Sequence, residues 1–242
     1  MRVIVHAAPR DAARAAAALV AEQLSHKPDS VLALPTGRTS VRLYQALVDL
    51  HRRSRASFAS ARWFNLDEFH GIAREDARSF AAFLDRNFLS PIAVKRDRVR
   101  LLDGATRNWR LEAAAFDRSL DELGGLDVAI IGIGTNGHIA FNEPGATLVA
   151  ETHRVRLTTS SRAVFAPVFG STRRVPTHAL TMGIGTILRA RRVILLATGA
   201  TKTEIVHRAL EGPVTTRVPG SLLQLHGNAD VVLDRAAASA LG

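Results

Sequence analysis

The chain has no cysteine and only one tyrosine among its 242 residues. Disulfide bonds and thiolate metal sites are therefore excluded, and the composition fits a reducing compartment. No apolar run reaches the roughly twenty residues that a membrane span needs, and the N-terminus lacks the apolar segment of a signal peptide. We therefore expect a cytoplasmic protein with no membrane partner.

The formal charge of +10 is compatible with nucleic-acid binding. The arginines are scattered along the chain, however, and no basic segment alternates with aromatic residues to form a stacking platform. The sequence therefore does not favour a nucleic-acid partner. A small anion would need only two or three of these cations, so the charge alone does not select the ligand.

Short apolar segments alternate with segments of helical periodicity along the whole chain. We predict strands at residues 2–5, 31–34, 61–66, 128–131, 154–157, 179–186, 192–197 and 230–233. Helices are predicted at residues 11–24, 41–48, 79–89 and 109–123 and after residue 200, and an irregular loop at residues 160–176. This alternation predicts a single α/β domain over residues 1–242, with a mainly parallel central sheet and helices on both faces.

A glycine-rich turn follows the strand predicted at residues 128–131. Gly132, Gly134 and Gly137 match the dinucleotide fingerprint G-x-G-x-x-G. That fingerprint opens a long helix, whereas Pro144 follows within about two turns of the last glycine and would break it. The sequence therefore does not favour nicotinamide binding.

The same turn carries Asn136, His138 and Glu143. Ligands bind beyond the carboxyl ends of strands in open α/β sheets, and these three side chains combine an amide, an imidazole and a carboxylate there. They are candidates for acid–base catalysis. A tight turn with a hydrogen-bonded core histidine is the alternative.

The strand predicted at residues 61–66 leads directly into Asp67 and Glu68. Two carboxylates just past a buried strand are unusual for a simple surface. They are therefore further candidates for the site at this edge of the sheet.

Thr36, Gly37, Arg38 and Thr39 connect the strand at residues 31–34 to a predicted helix. The free backbone N–H groups and the dipole of a helix N-terminus attract anions, so these residues form a candidate anion site. An ordinary capped turn is the alternative.

Thr201 and Glu204 match a capping box, which would place Lys202 in the first turn of the last predicted helix. A lysine there opposes the helix dipole. An anion bound nearby would explain it.

Five ordered segments of the chain resemble the motifs of the glucosamine-6-phosphate deaminase family. They are LPTG at residues 34–37, FNLDEF at 64–69, GHIAFNEP at 137–144, ALTMGIGT at 179–186 and LLQLH at 222–226. The resemblance implies a modified Rossmann-like fold and conversion of glucosamine 6-phosphate and water to fructose 6-phosphate and ammonia. It implies no metal and no organic cofactor.

The resemblance also implies roles for the candidate residues. His138 would move a proton between the ring oxygen and the anomeric hydroxyl when the sugar ring opens, and Glu143 and Asn136 would orient the imidazole. Asp67 would be the base that takes the proton from carbon 2 and returns one to carbon 1. Thr36, Gly37, Arg38, Thr39 and Lys202 would bind the substrate. The family often has an aspartate where this chain has Asn136, which can accept a hydrogen bond but carries no charge.

A second departure concerns the substrate phosphate, because Pro167 stands where relatives have an arginine. Arg38 would supply the missing cation on one hypothesis. Arg162, Arg173 or Arg174 would do so on the other.

Two further functions stay open at this point. A lactonase-type hydrolase of the same fold would bind a sugar phosphate without needing Asp67 as a carbon base. A sugar-phosphate-binding regulator would keep the anion site but lose Asp67 or His138, and both are present. The sequence leaves the oligomeric state open, a homo-oligomer included, as well as the preferred epimer and any allosteric control.

Overall fold

The computed structural model describes residues 1–242 and contains ten strands. They are β1 (Arg2–His6), β2 (Val31–Leu34), β3 (Arg62–Asn65), β4 (Asp67–Phe69), β5 (Val99–Arg100), β6 (Val128–Ile131), β7 (His153–Arg156), β8 (His178–Thr181), β9 (Arg192–Ala197) and β10 (Ala229–Asp234). Seven of these form a parallel sheet in the order β1-β10-β9-β6-β2-β3-β5. The predicted parallel sheet is confirmed.

The other three strands form a small antiparallel sheet in the order β4-β8-β7. Sequence patterns did not predict this sheet, because β4 is only three residues long and follows β3 after one residue. Its register pairs Asp67 with Thr181. The small sheet therefore carries the first candidate carboxylate.

The structure contains seven α-helices. They are α1 (Pro9–His26), α2 (Arg38–Arg52), α3 (Phe80–Leu84), α4 (Trp109–Asp121), α5 (Thr159–Phe169), α6 (Ile184–Leu188) and α7 (Thr203–Leu210). A π-helical turn at Asp85–Leu89 extends α3, and 3₁₀ turns occupy Arg96–Arg98, Thr172–Arg174, Ala200–Lys202 and Pro219–Leu225. No helix combines the length and the apolar character that crossing a membrane requires.

Side chains of β2 show how the two faces of the sheet are buried. Leu32 and Leu34 pack with α1 and α2, whereas Val31 and Ala33 point the other way and pack in the cluster that contains α4, α6 and α7 residues. Every β2 residue is buried, as expected for a central parallel strand. The prediction of helices on both faces is thus confirmed.

Two local predictions were wrong. Residues 160–176, predicted as a loop, contain α5, which begins after Thr158 accepts a hydrogen bond from Ser161 N and ends at Gly170 in the left-handed region. Residues 179–186, predicted as one strand, end their strand at Thr181 and turn into α6 at Gly183. A Cβ at Gly183 would lie 2.2 Å from a backbone oxygen of Ala150, so close backbone packing explains the glycine.

Candidate active site

The carboxyl ends of four neighbouring strands lie side by side, because β9, β6, β2 and β3 are adjacent and parallel. The segments that follow these strands contain Lys202, His138, Arg38 and Asp67, respectively. The topology therefore places residues that are far apart in sequence along one edge of the sheet.

The turn after β2 leads directly into α2. Gly37 has φ 106°, a conformation that favours glycine, and no side chain caps the helix. Tyr44 fixes the turn by donating a hydrogen bond to the Pro35 carbonyl oxygen. Arg38 and Thr39 begin the helix, and its first turn contains no acidic residue. The N-terminal N–H groups are therefore free to bind an anion.

Asp67 is buried in β4 with 6% of its surface exposed, and its Oδ1 atom has no hydrogen-bond partner. Burial, and then the Glu68 carboxylate, raise the pKa of Asp67 to about 8, against a hydrogen bond from the Thr36 side chain that lowers it. Asn65 donates a hydrogen bond to the Asp67 carbonyl oxygen at 2.8 Å. A carboxyl group with this pKa can exchange a proton near neutral pH, as an acid–base catalyst must.

The imidazole of His138 packs directly on Gly134. A Cβ at Gly134 would lie 2.3 Å from His138 Nε2, so this glycine is required by the ring that covers it. His138 Nδ1 lies 3.5 Å from Glu143 Oε2 and 3.3 Å from Ser161 Oγ. The residues after β6 form turns rather than a helix. A dinucleotide fingerprint requires a helix at this point, so the glycines of this segment do not form one.

Hydrogen-bond donors surround the Glu143 carboxylate. Asn136 Nδ2 donates to it at 2.7 Å, and Thr158 donates from its backbone N and its hydroxyl at 3.3 Å each. Burial by itself raises the pKa of Glu143, but hydrogen bonds led by the one from His138 outweigh burial and lower it to about 2. Glu143 is therefore a carboxylate at neutral pH, and it favours the imidazole tautomer with the proton on Nδ1.

The amide of Asn136, which was predicted to orient the imidazole ring, forms no hydrogen bond with the ring itself. Its Oδ1 atom accepts a hydrogen bond from the His138 backbone N at 3.1 Å, and its Nδ2 atom donates to Glu143. The ring itself contacts Glu143 and Ser161. Asn136 thus links the backbone of His138 to the Glu143 carboxylate.

Lys202 reaches from the turn after β9 to the segment after β6, where its Nζ atom donates to the Ile133 carbonyl oxygen at 2.6 Å. Burial, and then the positive charge of Arg38, lower the pKa of Lys202. Neither cation forms a salt bridge with a carboxylate. Two unpaired cations therefore lie close together beside the N-terminus of α2.

The predicted capping box at Thr201 and Glu204 is wrong. A 3₁₀ turn at Ala200–Lys202 precedes α7, which begins at Thr203 without a side-chain cap. The amide of Gly199 instead donates to Asp234 on β10. Tertiary packing rather than local capping therefore shapes this turn.

Backbone oxygens hold the guanidinium of Arg162 in α5. Arg162 donates to the backbone oxygens of Thr172 at 2.7 Å and Val175 at 3.1 Å, so its guanidinium ties α5 to the following 3₁₀ turn. Pro167 lies inside α5 with an exposed side chain. Arg162 is thus engaged in holding the fold.

Sequence reasoning missed Thr158 and Ser161, whose hydroxyls border Glu143 and His138. The spacing Thr158-x-x-Ser161 is a helix-start signal that could have revealed them. No group of three His, Asp or Glu side chains has the arrangement of a metal site.

A parallel α/β sheet with a buried acid–base carboxyl, a carboxylate-bound imidazole and unpaired cations at its carboxyl edge is typical of enzymes that act on small anionic substrates. A family model described as "Glucosamine-6-phosphate isomerases/6-phosphogluconolactonase" matches residues 6–232. The chain belongs to this family.

Curated relatives match the chain over its whole length. It is 37% identical to a glucosamine-6-phosphate deaminase of Clostridium botulinum (strain Loch Maree / Type A3) over 241 residues, 100% of this chain and 99% of the relative. It is 35% identical to a glucosamine-6-phosphate deaminase of Thermoanaerobacter sp. (strain X514) over 239 residues, 99% of this chain and 94% of the relative. The resemblance found in the sequence motifs is thus confirmed.

Solved structures also match the chain over its whole length. The structure of a monomeric glucosamine-6-phosphate deaminase superposes with a TM-score of 0.96 at 37% identity, covering 99% of this chain and 100% of that one. A 6-phosphogluconolactonase from Trypanosoma brucei superposes with a TM-score of 0.79 at 22% identity, covering 100% and 98%, and shares the fold. The predicted Rossmann-like class is confirmed.

Proposed function

We propose that this chain is a glucosamine-6-phosphate deaminase, which converts glucosamine 6-phosphate and water to fructose 6-phosphate and ammonia. The observation that carries the proposal is Asp67, a buried carboxyl group with an unpartnered oxygen at the catalytic edge of the sheet. Deamination through isomerisation needs a base for a carbon-bound proton. Lactone hydrolysis, the activity named for the more distant structural relative, does not.

In the first step the sugar ring opens. His138 takes the proton of the anomeric hydroxyl and delivers a proton to the ring oxygen, which an imidazole can do in both directions near neutral pH. The Glu143 carboxylate, 3.5 Å from Nδ1, stabilises the imidazolium that exists between these transfers.

In the second step Asp67 takes the proton from carbon 2 of the open chain, while the carbonyl oxygen at carbon 1 gains the proton that the ammonium group releases. Asp67 then returns its proton to carbon 1. The double bond then lies between carbon 2 and nitrogen, and water adds to carbon 2 and releases ammonia. The pKa of about 8 suits a group that must accept a proton and then give it back.

The phosphate of the substrate binds between α2 and the turn after β9. The free N–H groups of the α2 N-terminus, Arg38 and Lys202 supply donors for a dianion, and Thr36 and Thr39 flank them in sequence. On this proposal Arg38 supplies the cation that the family resemblance would place at the position of Pro167. The fixed position of Arg162 supports this choice.

We also propose that residues 1–242 act as one domain in the cytoplasm on a small-molecule amino-sugar phosphate. Relatives that are named glucosamine-6-phosphate deaminase match the chain over its full length, which supports this proposal. A solved relative described as monomeric makes a monomer the working expectation.

The proposal is tested by measuring the ammonia and fructose 6-phosphate that the purified protein forms from glucosamine 6-phosphate. Hydrolysis of 6-phosphogluconolactone is measured as the competing activity. We expect Asp67→Asn to bind substrate but to lose exchange of the carbon-2 proton with deuterated water by at least ~100-fold, because an amide is not a base. Lactone hydrolysis without ammonia release would overturn the proposal, and so would unchanged exchange in the variant.

His138→Gln separates the two steps. It should slow the cyclic substrate far more than an acyclic analogue, since only the cyclic sugar needs ring opening. Equal losses on both substrates would contradict this division between His138 and Asp67.

A further inference from the structure

Glu68 is a second buried carboxylate in β4, with 1% of its surface exposed, and the proposed reaction gives it no role. Its Oε1 atom accepts hydrogen bonds from the backbone N atoms of Phe69 and Phe80 at 2.9 Å each. Its Oε2 atom accepts one from Ala81 N at 2.8 Å. All three partners are backbone N–H donors, so they favour the ionised carboxylate of Glu68.

These hydrogen bonds connect β4, which carries Asp67, to α3. Phe80 and Ala81 are the first residues of α3, and Ser79 caps the next N–H group, so Glu68 completes the N-terminus of this helix. On the other side, a Cβ at Gly104 would lie 2.9 Å from Glu68 Cγ, which shows how closely the neighbouring loop packs on the side chain. The carboxylate has one well-defined position.

We propose that Glu68 is a positioning residue for Asp67: its carboxylate anchors β4 to α3 and holds a negative charge beside the base. The assignment rests on the proposed function of Asp67 as the carbon base. Neither carboxyl group has a salt-bridge partner, so no ion pair neutralises the charge of Glu68.

The protonation states follow from burial and from the groups that face the pair. Burial raises the pKa of Glu68 to about 7, against the three backbone hydrogen bonds and the charge of Arg74, which lower it. Once Glu68 has ionised, its charge helps to hold the proton on Asp67 up to a pKa of about 8. Tyr44 of α2 faces Asp67 and is neutral in this range because burial raises its pKa well above 10.0.

The remaining elements contribute no charge directly at the pair. Helix α3 has no titratable residue. On the side of β8, His178 has its pKa lowered first by burial, so it is uncharged near pH 7, and His70 follows β4 with its backbone bonded to His178. Burial is therefore the larger cause of the raised pKa of Asp67, and Glu68 is the negative charge that adds to it.

The first test compares the pH dependence of kcat/KM in Glu68→Gln and Glu68→Asp. In the wild type the rising limb should have its midpoint near pH 8, where Asp67 loses its proton. Glu68→Gln removes the charge and should move that midpoint down by about one pH unit. Glu68→Asp is the matched control, because it also disturbs the α3 anchor but keeps the charge and should keep the midpoint. Equal midpoints in Gln and Asp variants would overturn the proposal.

The second test does not depend on turnover. In protein with ¹³C-labelled aspartate carboxyl groups, the Asp67 signal, assigned with Asp67→Asn, should show a main inflection near pH 8 and a smaller one near pH 7 as Glu68 ionises. The smaller inflection should persist in His138→Gln. If the wild type lacks the smaller inflection, the proposal for Glu68 is wrong, and this holds even if Glu68→Gln fails to fold. If both inflections appear but the protein has no deaminase activity, only the proposed function is contradicted.

Discussion

The side chain of Asn136 donates a 2.7 Å hydrogen bond to Glu143 and accepts one from the His138 backbone, so it bridges the carboxylate and the loop that carries the imidazole. An aspartate at this position has no hydrogen to donate. In this chain the amide therefore does something that an aspartate could not do in the same geometry. It helps to keep Glu143 ionised beside the ring.

Asn136→Asp should lower the melting temperature at pH 7, because two carboxylates would meet at the distance of the present hydrogen bond. Glu143 now stabilises the fold above its unfolded pKa of about 4.3, and this contribution is lost as pH falls towards 2. In the variant the two carboxyl groups repel each other when both are ionised, so one of them keeps its proton to higher pH. The melting temperature of the variant should therefore be lower than that of the wild type by about 3 °C or more at pH 7, and this difference should shrink at pH 4.

Thermal melts at both pH values check this prediction. The double variant Asn136→Asp with Glu143→Gln is the control, since the new amide at position 143 can donate to the new carboxylate and should recover stability at pH 7. A deficit that is equal at pH 7 and pH 4, or no recovery in the double variant, would contradict the reasoning.

Asp67→Asn should stabilise the protein at alkaline pH. The folded pKa of about 8 exceeds the unfolded value of about 3.9, so the wild type loses stability as pH rises through this window, because only the unfolded chain releases the proton. The variant cannot ionise and should melt at least ~3 °C higher than the wild type at pH 8, the shift that about 1 kcal/mol produces in a chain of this size. At pH 4 the two proteins should melt together. A lower melting temperature at pH 8 would show that Asp67 is ionised in the folded protein.

Gly134→Ala should reduce kcat by at least ~100-fold, because its methyl group would occupy the place of the His138 ring. Gly132→Ala is the matched control: a Cβ there meets nothing within 4 Å, and activity should change less than ~3-fold. Steady-state kinetics on the cyclic substrate measure both. A tolerated Gly134→Ala would mean that the imidazole works from another position.

Arg38→Ala should raise KM about ten-fold, the effect of losing one partly solvated charged hydrogen bond of ~1.4 kcal/mol. Lys202→Ala should raise KM at least as much. Arg42→Ala, which removes an exposed arginine one turn further along α2, is the control for net charge and should leave KM unchanged. If Arg38→Ala behaves like Arg42→Ala while Arg173 or Arg174 proves essential, the phosphate is held from the α5 side instead.

Local signals were sufficient for much of the fold. The strands Val31–Leu34, Val128–Ile131 and Arg192–Ala197 have the predicted bounds, because central parallel strands are short, continuously apolar segments. Helix α1 extends beyond its predicted range by two residues at each end, where Pro9 and His26 do not belong to the apolar pattern. Helix α5 was missed because its hydroxyl-rich start and internal Pro167 resemble a loop, whereas packing of Phe165 and Phe169 against Phe69 stabilises it.

The sequence by itself determined the residue types of the candidate site and the strand ends from which they project, since glycine turns and polar residues after apolar strands are local features. Only the tertiary structure decided what each side chain contacts. It directed Asn136 to Glu143 rather than to the imidazole, brought the Ser161 hydroxyl beside His138 Nδ1, and buried Asp67 next to Glu68. The contact between Ser161 and His138 joins α5 to the segment after β6, and hydrogen-bond geometry and desolvation exist only once the elements have packed.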